Sequence, residues 1–191
     1  MATVQTKRMT VDDFYKWVNR PGNHDKFYEL DEGKVVEMPP PGEYHGVLCG
    51  FIVHLLWTYV LRRGRGYVCS NDTGLIVKRT PATVRGPDIM LFDESRPKSR
   101  LSRKFAAHVP KLVVEVLSPR DKTAQMLRRI TQFLERGVPL VWLVDPESET
   151  VTVYRPGTAP YMIKGSEMLT GEDVLPGLRM RVSELFALPG L

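Results

Sequence analysis

Cysteine is almost missing from this chain: of 191 residues only Cys49 and Cys69 are cysteines, and they do not form a C-x-x-C pair. A disulfide framework and a cysteine-based structural zinc module are therefore excluded. Long hydrophobic runs are also lacking, since none reaches the roughly 18 residues that a bilayer span needs. The polar opening MATVQTKRMT has no signal-peptide core. The expectation is a cytoplasmic protein without membrane contact, in which the sequon Asn71-Asp72-Thr73 has no role. Phosphate-cradling and nucleophile motifs are absent too: there is no G-x-x-x-x-G-K-[ST], no G-x-G-x-x-G after a strand, no G-x-S-x-G elbow and no H-E-x-x-H. The 15 glycines and 15 prolines follow no period, and 42% hydrophobic residues exclude disorder. What remains is one globular domain over residues 1–191, with its core at about 10–188. A chain of this length can bury roughly 70% of its unfolded surface.

The charge is uneven. Residues 1–60 carry 6 cations and 8 anions, residues 61–136 carry 17 and 7, and residues 137–191 carry 4 and 7. The total of +5 thus hides a strongly basic middle between two acidic ends. Such a middle suits a phosphate-facing surface, and a solvated charged face is the alternative.

Periodicity predicts a first helix over 11–19, capped by Thr10, with Phe14, Trp17 and Val18 inward. FYEL (27–30) and KVVEM (34–38) read as a hairpin. Apolar residues at helical spacing from Glu43 to about Arg62 predict the main core helix. Strands are expected at 66–70, 74–78 and 87–92, with a loop from Pro81 to Gly86. The stretch 93–110 reads as a long, basic, mobile loop with a helical turn near Phe105. KLVVEVL (111–117) is a central strand buried on both faces. Residues 121–136 form an amphipathic helix with Leu127, Ile130, Phe133 and Leu134 inward. Strands at 140–145, 150–155 and 161–164 and a short helix at 182–187 follow. The class is α/β: a mixed β-sheet flanked by helices, with extra N- and C-terminal β-hairpins.

Glu115 is the most informative residue, a lone carboxylate inside an apolar strand. Buried there it must be neutralised, paired with a cation or bound to a metal. Asp88 opens the apolar strand IMLF, and Glu29 lies between Tyr28 and Leu30. Three carboxylates on apolar strands suggest a shared hard-cation site such as Mg²⁺; pairing of each with an arginine is the alternative.

Pro87-Asp88, then E-V-L on the next core strand and a helix after it, resembles the PD-(D/E)XK nuclease superfamily. More closely, YELDEGKVVEMPPP with His45 after it, GPDIML, LVVEVLSP and RGVPLVWLVDPE resemble the bacterial restriction-endonuclease-like family called Uma-two, from about Thr10 to Leu188. The resemblance implies a restriction-endonuclease-like fold in which Asp88, Glu115 and the Val116 carbonyl bind Mg²⁺, with Mn²⁺ as a substitute. Glu29 would stand at the edge of the site and His45 near it. The lysine that completes such sites is replaced by Leu117. Arg129 on the following helix matches the position to which this family moves it, with Lys122 as a weaker substitute. Arginine keeps a charge for phosphate but cannot readily act as a base.

The expected activity is a metal-dependent DNA endonuclease; the alternative is a catalytically inactive nucleic-acid-binding or interaction module with the same fold. DNA phosphates would meet Arg62, Arg63, Arg65, Lys78, Arg79, Arg85, Arg96, Lys98, Arg100, Arg103, Lys104 and Lys122. A homodimer is a further expectation, based on the two-strand cut of such enzymes, an exposed sheet edge and the apolar hairpin VTVYRP.

Overall fold

The structure, a computed structural model, describes residues 8–119 and 121–188; the start of the polar opening segment lies outside them. Helix α1 (Val11–Val18) starts at a reciprocal cap in which Thr10 Oγ1 accepts from the Asp13 N–H and the Asp13 carboxylate accepts from the Thr10 N–H. Strands β1 (Phe27–Asp31) and β2 (Lys34–Met38) form the expected hairpin. Its two-residue turn has Glu32 at φ 49° and Gly33 at φ 80°, the left-handed pair that matches strand twist. Helix α2 (Glu43–Arg63) follows, then β3 (Tyr67–Ser70), β4 (Leu75–Arg79), β5 (Ala82–Arg85) and β6 (Ile89–Phe92). Strand β7 (Leu112–Val116), helix α3 (Thr123–Glu135), and strands β8 (Val141–Asp145), β9 (Thr150–Tyr154) and β10 (Tyr161–Lys164) come next. The short β11 (Met168–Thr170) and β12 (Arg179–Arg181) and helix α4 (Val182–Phe186) complete the described chain.

A six-stranded sheet has the order β10-β9-β8-β7-β6-β3, parallel between β7 and β8 and antiparallel elsewhere. Alternation along β7 divides the core. Leu112, Val114 and Val116 pack with α2, α4 and the β11–β12 ribbon. Val113 packs with Met126, Ile130 and Phe133 of α3, so Glu115, two residues on, faces the α3 side. A second sheet, β2-β1-β5-β4, is antiparallel throughout and packs Leu30, Ile76 and Val84 against Val11 and Phe14 of α1.

Several expectations change. The segment 81–86, read as a loop, is mostly strand β5, wholly buried between β1 and β4. In the 93–110 stretch the helical turn lies at Lys98–Arg100 rather than at Phe105. Phe105 instead stacks on Phe14 at 5.5 Å between ring centroids, and Ala106 joins the backbone of Leu75. Two hydrogen bonds, from Ala106 N–H to Gly74 O and from Ile76 N–H to Ala106 O, pin this end of the stretch. On α3 the inward stripe is Met126, Ile130 and Phe133, and Leu127 is exposed. The VTVYRP segment includes most of β9, which lies between β8 and β10, so the edge on that side of the sheet is β10.

Helix α2 is long and apolar enough, by length and composition alone, to cross a membrane. Its Leu48, Ile52, Leu56, Tyr59 and Val60 face is instead packed into the largest apolar cluster.

Candidate functional site

Strand direction brings the acidic residues together. Strand β6 runs antiparallel to β7, pairing Ile89 with Val114, so Asp88 lies beside the Glu115–Val116 end of the central strand. The Val116 N–H donates to Asp88 Oδ2 at 2.7 Å. On β1, Leu30 points to α1, which leaves Glu29 on the opposite face toward α3. There Arg129 joins the strands: Nη1 donates to Glu29 Oε1 at 2.6 Å, and Nη2 donates to Glu115 Oε1 at 2.9 Å and to Gly86 O at 3.1 Å. Arg129 is three residues after Met126 and four before Phe133, which puts it on the buried stripe of α3.

Glu29 is saturated. Oε1 also accepts from the Gly86 N–H at 2.8 Å, and Oε2 accepts from Arg85 Nη1 at 2.9 Å. Arg85, expected among the phosphate-binding cations, is buried on β5. Its guanidinium is committed to Glu29, to Asp31 at 2.8 Å and to Gln132 Oε1 at 2.8 Å. It therefore lies beneath the surface, held by two carboxylates and an amide.

His45 enters from the first turn of α2. Nε2 lies 3.1 Å from Val116 O and 3.4 Å from Asp88 Oδ2. The Asp88 carboxylate 3.4 Å away, helped by Cys49 and opposed by burial, raises the pKa of the ring to about 11. Glu115 shows the opposite strain: burial, reinforced by the Asp88 and Glu29 charges and only partly relieved by Arg129, pushes its pKa up to about 8. Arg129 stays charged against burial because Glu115 and Glu29 hold its proton. Asp72, in the turn after β3, is exposed as a residue. Partial enclosure of its carboxyl and the nearby Asp88 and Glu29 charges raise its pKa to about 6.

The donor set fits a hard cation. Asp88, Glu115 and the Val116 carbonyl offer oxygen only. Asp88 Oδ1 and Glu115 Oε2 accept no hydrogen bond from the described residues. His45 touches two of those donors, Asp88 Oδ2 and Val116 O. A second possible set overlaps the first: His45, Cys49 and Asp88 have ligand atoms within 4.8 Å of one another.

The basic residues are divided. The axis of α2 carries Arg62 roughly 25 Å from His45 at 1.5 Å per residue. Arg63 and Arg65 pair with Asp93 at the far end of β6, and Arg96 pairs with Glu94. Lys78 and Arg79 are exposed at the end of β4 away from Arg85; Lys98, Arg100, Arg103 and Lys104 are exposed, with Lys104 5.2 Å from the Tyr15 ring centroid. Lys122, the N-cap of α3, is exposed at the end of the sheet that holds Glu115.

Cys49, Asp72, Asp31 and Gln132 had not been singled out by sequence. For Cys49 a signal existed, since it lies one helical turn after His45. For Asp72 none did, because a turn residue has no periodicity.

Residues 11–183 match the family described as Uma2, putative restriction endonuclease. The chain belongs to the Uma2 (Uma-two) family. Its fold agrees: the crystal structure of a putative nuclease of the DUF820 group from Anabaena variabilis superposes with a TM-score of 0.79 at 22% identity, covering 94% of this chain and 98% of that one. No curated protein matches the chain. The fold is a restriction-endonuclease-like α/β core, and the N-terminal hairpin β1–β2, within the matched region, supplies Glu29.

Proposed function

We propose that this protein is a Mg²⁺-dependent endonuclease acting on DNA, with Asp88, Glu115 and the Val116 carbonyl as the residues that hold the ion. The observation that carries the reading is the placement of Glu115, a carboxyl buried on the central strand directly beside Asp88, whose Oδ2 accepts from the Val116 N–H at 2.7 Å; burial raises the Glu115 pKa and favours added positive charge there. A bound Mg²⁺ would supply that charge, polarise the phosphodiester and acidify a water; Mn²⁺ is expected to substitute.

The protein groups divide the remaining work. Arg129 neutralises Glu29 and Glu115 and presents a fixed positive charge to a phosphate, which favours charge built up in the transition state. It accepts no proton, so it does not activate water. Glu29 and Arg85 hold Arg129 in place. His45 anchors Asp88 and the Val116 carbonyl.

A second reading, DNA binding without cleavage, is favoured by one feature. Leu117 occupies the lysine slot, and the arginine in its stead is already paired to two carboxylates. Assays of supercoiled and linear DNA with Mg²⁺ and Mn²⁺ separate the two readings. Cleavage by the wild type, lost in Asp88→Asn and Glu115→Gln while circular dichroism stays native, supports the nuclease. Binding without cleavage across metals and substrates supports the module, and cleavage that survives both substitutions refutes the site.

A further inference from the structure

Helix α2 places a thiol where the nuclease reading has no use for one. His45 and Cys49 are four residues apart, so their side chains stack on one face of a rigid 21-residue helix. Cys49 Sγ lies 3.6 Å from His45 Nδ1 and 3.9 Å from Nε2, and His45 Nε2 lies 3.4 Å from Asp88 Oδ2. All three side chains are partly rather than fully buried, so an ion can reach them.

These separations can be compared with a metal's requirements. With zinc bonds of about 2.3 Å to sulfur and about 2.0–2.2 Å to nitrogen and oxygen, tetrahedral angles put nitrogen and sulfur about 3.5 Å apart and nitrogen and oxygen about 3.4 Å apart. The Asp88 separation from Nε2 already matches, Cys49 must come about 0.4 Å closer to that nitrogen, and the thiol and carboxylate, within 4.8 Å of each other, close to about 3.5 Å as the ion is enclosed. A nitrogen, a thiolate and a carboxylate form a borderline-soft set. It suits zinc-class ions and is poor for Mg²⁺, which takes oxygen ligands.

We propose that His45, Cys49 and Asp88 form a binding site for a thiophilic divalent cation of the zinc class, with the fourth position left to solvent or a substrate oxygen. Three protein ligands with one open position is the arrangement of catalytic rather than structural zinc. As the ion binds, the sulfur–metal bond replaces the S–H bond, the nitrogen–metal bond replaces the N–H bond on the ligating nitrogen of His45, and both protons pass to solvent. Asp88 is shared with the Mg²⁺ donor set, yet the inference stands apart from the nuclease reading, because no DNA and no cleavage enter its test.

The probe is Co²⁺ added to the metal-free full chain and followed by absorption. The expected result is a thiolate-to-cobalt charge-transfer band and the intense visible bands of four-coordinate cobalt, displaced by Zn²⁺. Both are retained in Cys69→Ser and lost in Cys49→Ser. In His45→Ala, whose thiol is intact, Co²⁺ affinity falls by roughly tenfold or more, which keeps the test valid should the Cys49 variant misfold. No thiolate band in the folded wild type, or a band that follows Cys69, overturns the proposal.

Discussion

Arg129 lies between two buried carboxylates, and its removal would leave Glu115 without a cation in a dry environment while Glu29 keeps Arg85. Breaking a buried pair from one side costs about 3–5 kcal/mol. Arg129→Met is therefore expected to lower the unfolding free energy read from urea titration by an amount in that range, and Glu115→Gln in the same chain to recover part of it. Purely additive losses in this double-mutant cycle would show that the 2.9 Å contact contributes nothing. Asp72 gives a pH-dependent case. Its folded pKa is raised from 3.8 to about 6, so between those values the folded chain binds more protons than the unfolded one. Stability from this group then falls as pH rises through that window, and the penalty is fully present above about pH 6. Asp72→Asn removes it without straining the backbone, because asparagine tolerates the φ of 52°. The variant should melt above the wild type at pH 7, with the gap closing below about pH 4; an equal gap at both pH values would rule out charge as the cause. Glu115 was legible in the sequence because alternation exposes a lone carboxylate among valines. Cys49 was not, since attention to C-x-x-C spacing passes over a helical His–Cys pair.

Elements show where punctuation misleads. Pro81 and Gly86 bracket β5, and reading them as loop markers placed the buried Arg85 on a surface. The strand is short, and pairing on both sides rather than its own pattern keeps it extended. The β11–β12 ribbon escaped notice for a similar reason, because three residues per strand carry no period. The link between β5 and β6 is a structural node. The Gly86 N–H donates to Glu29, its carbonyl accepts from Arg129, and a Cβ there would meet Asp72 O at 3.0 Å and Asp72 Cβ at 3.1 Å. Gly86→Ala is thus expected to cost about 1–3 kcal/mol by overpacking, read from the denaturant midpoint. A neutral effect would mean that the Asp72 turn yields freely.

For the whole molecule, chain order and spatial order of charge diverge. The basic middle of the sequence contains Asp88, Glu115 and Arg129, which suggested cations gathered around the acidic site. Strand direction and a 21-residue helix separate them: Arg62, Arg63 and Arg65 are carried to the opposite end of the sheet, two of them already paired with Asp93. Lys122 remains at the site end because α3 begins there. If DNA lies across the carboxylates, Lys122 meets a phosphate and Arg62 does not. Binding measured against salt should then show a slope reduced by about one in Lys122→Ala, with weakening that is similar for all sequences. Arg62→Ala should leave the slope unchanged. The reverse pattern would place the duplex along the far end of the sheet, away from Asp88 and Glu115, where no cleavage by these residues could follow.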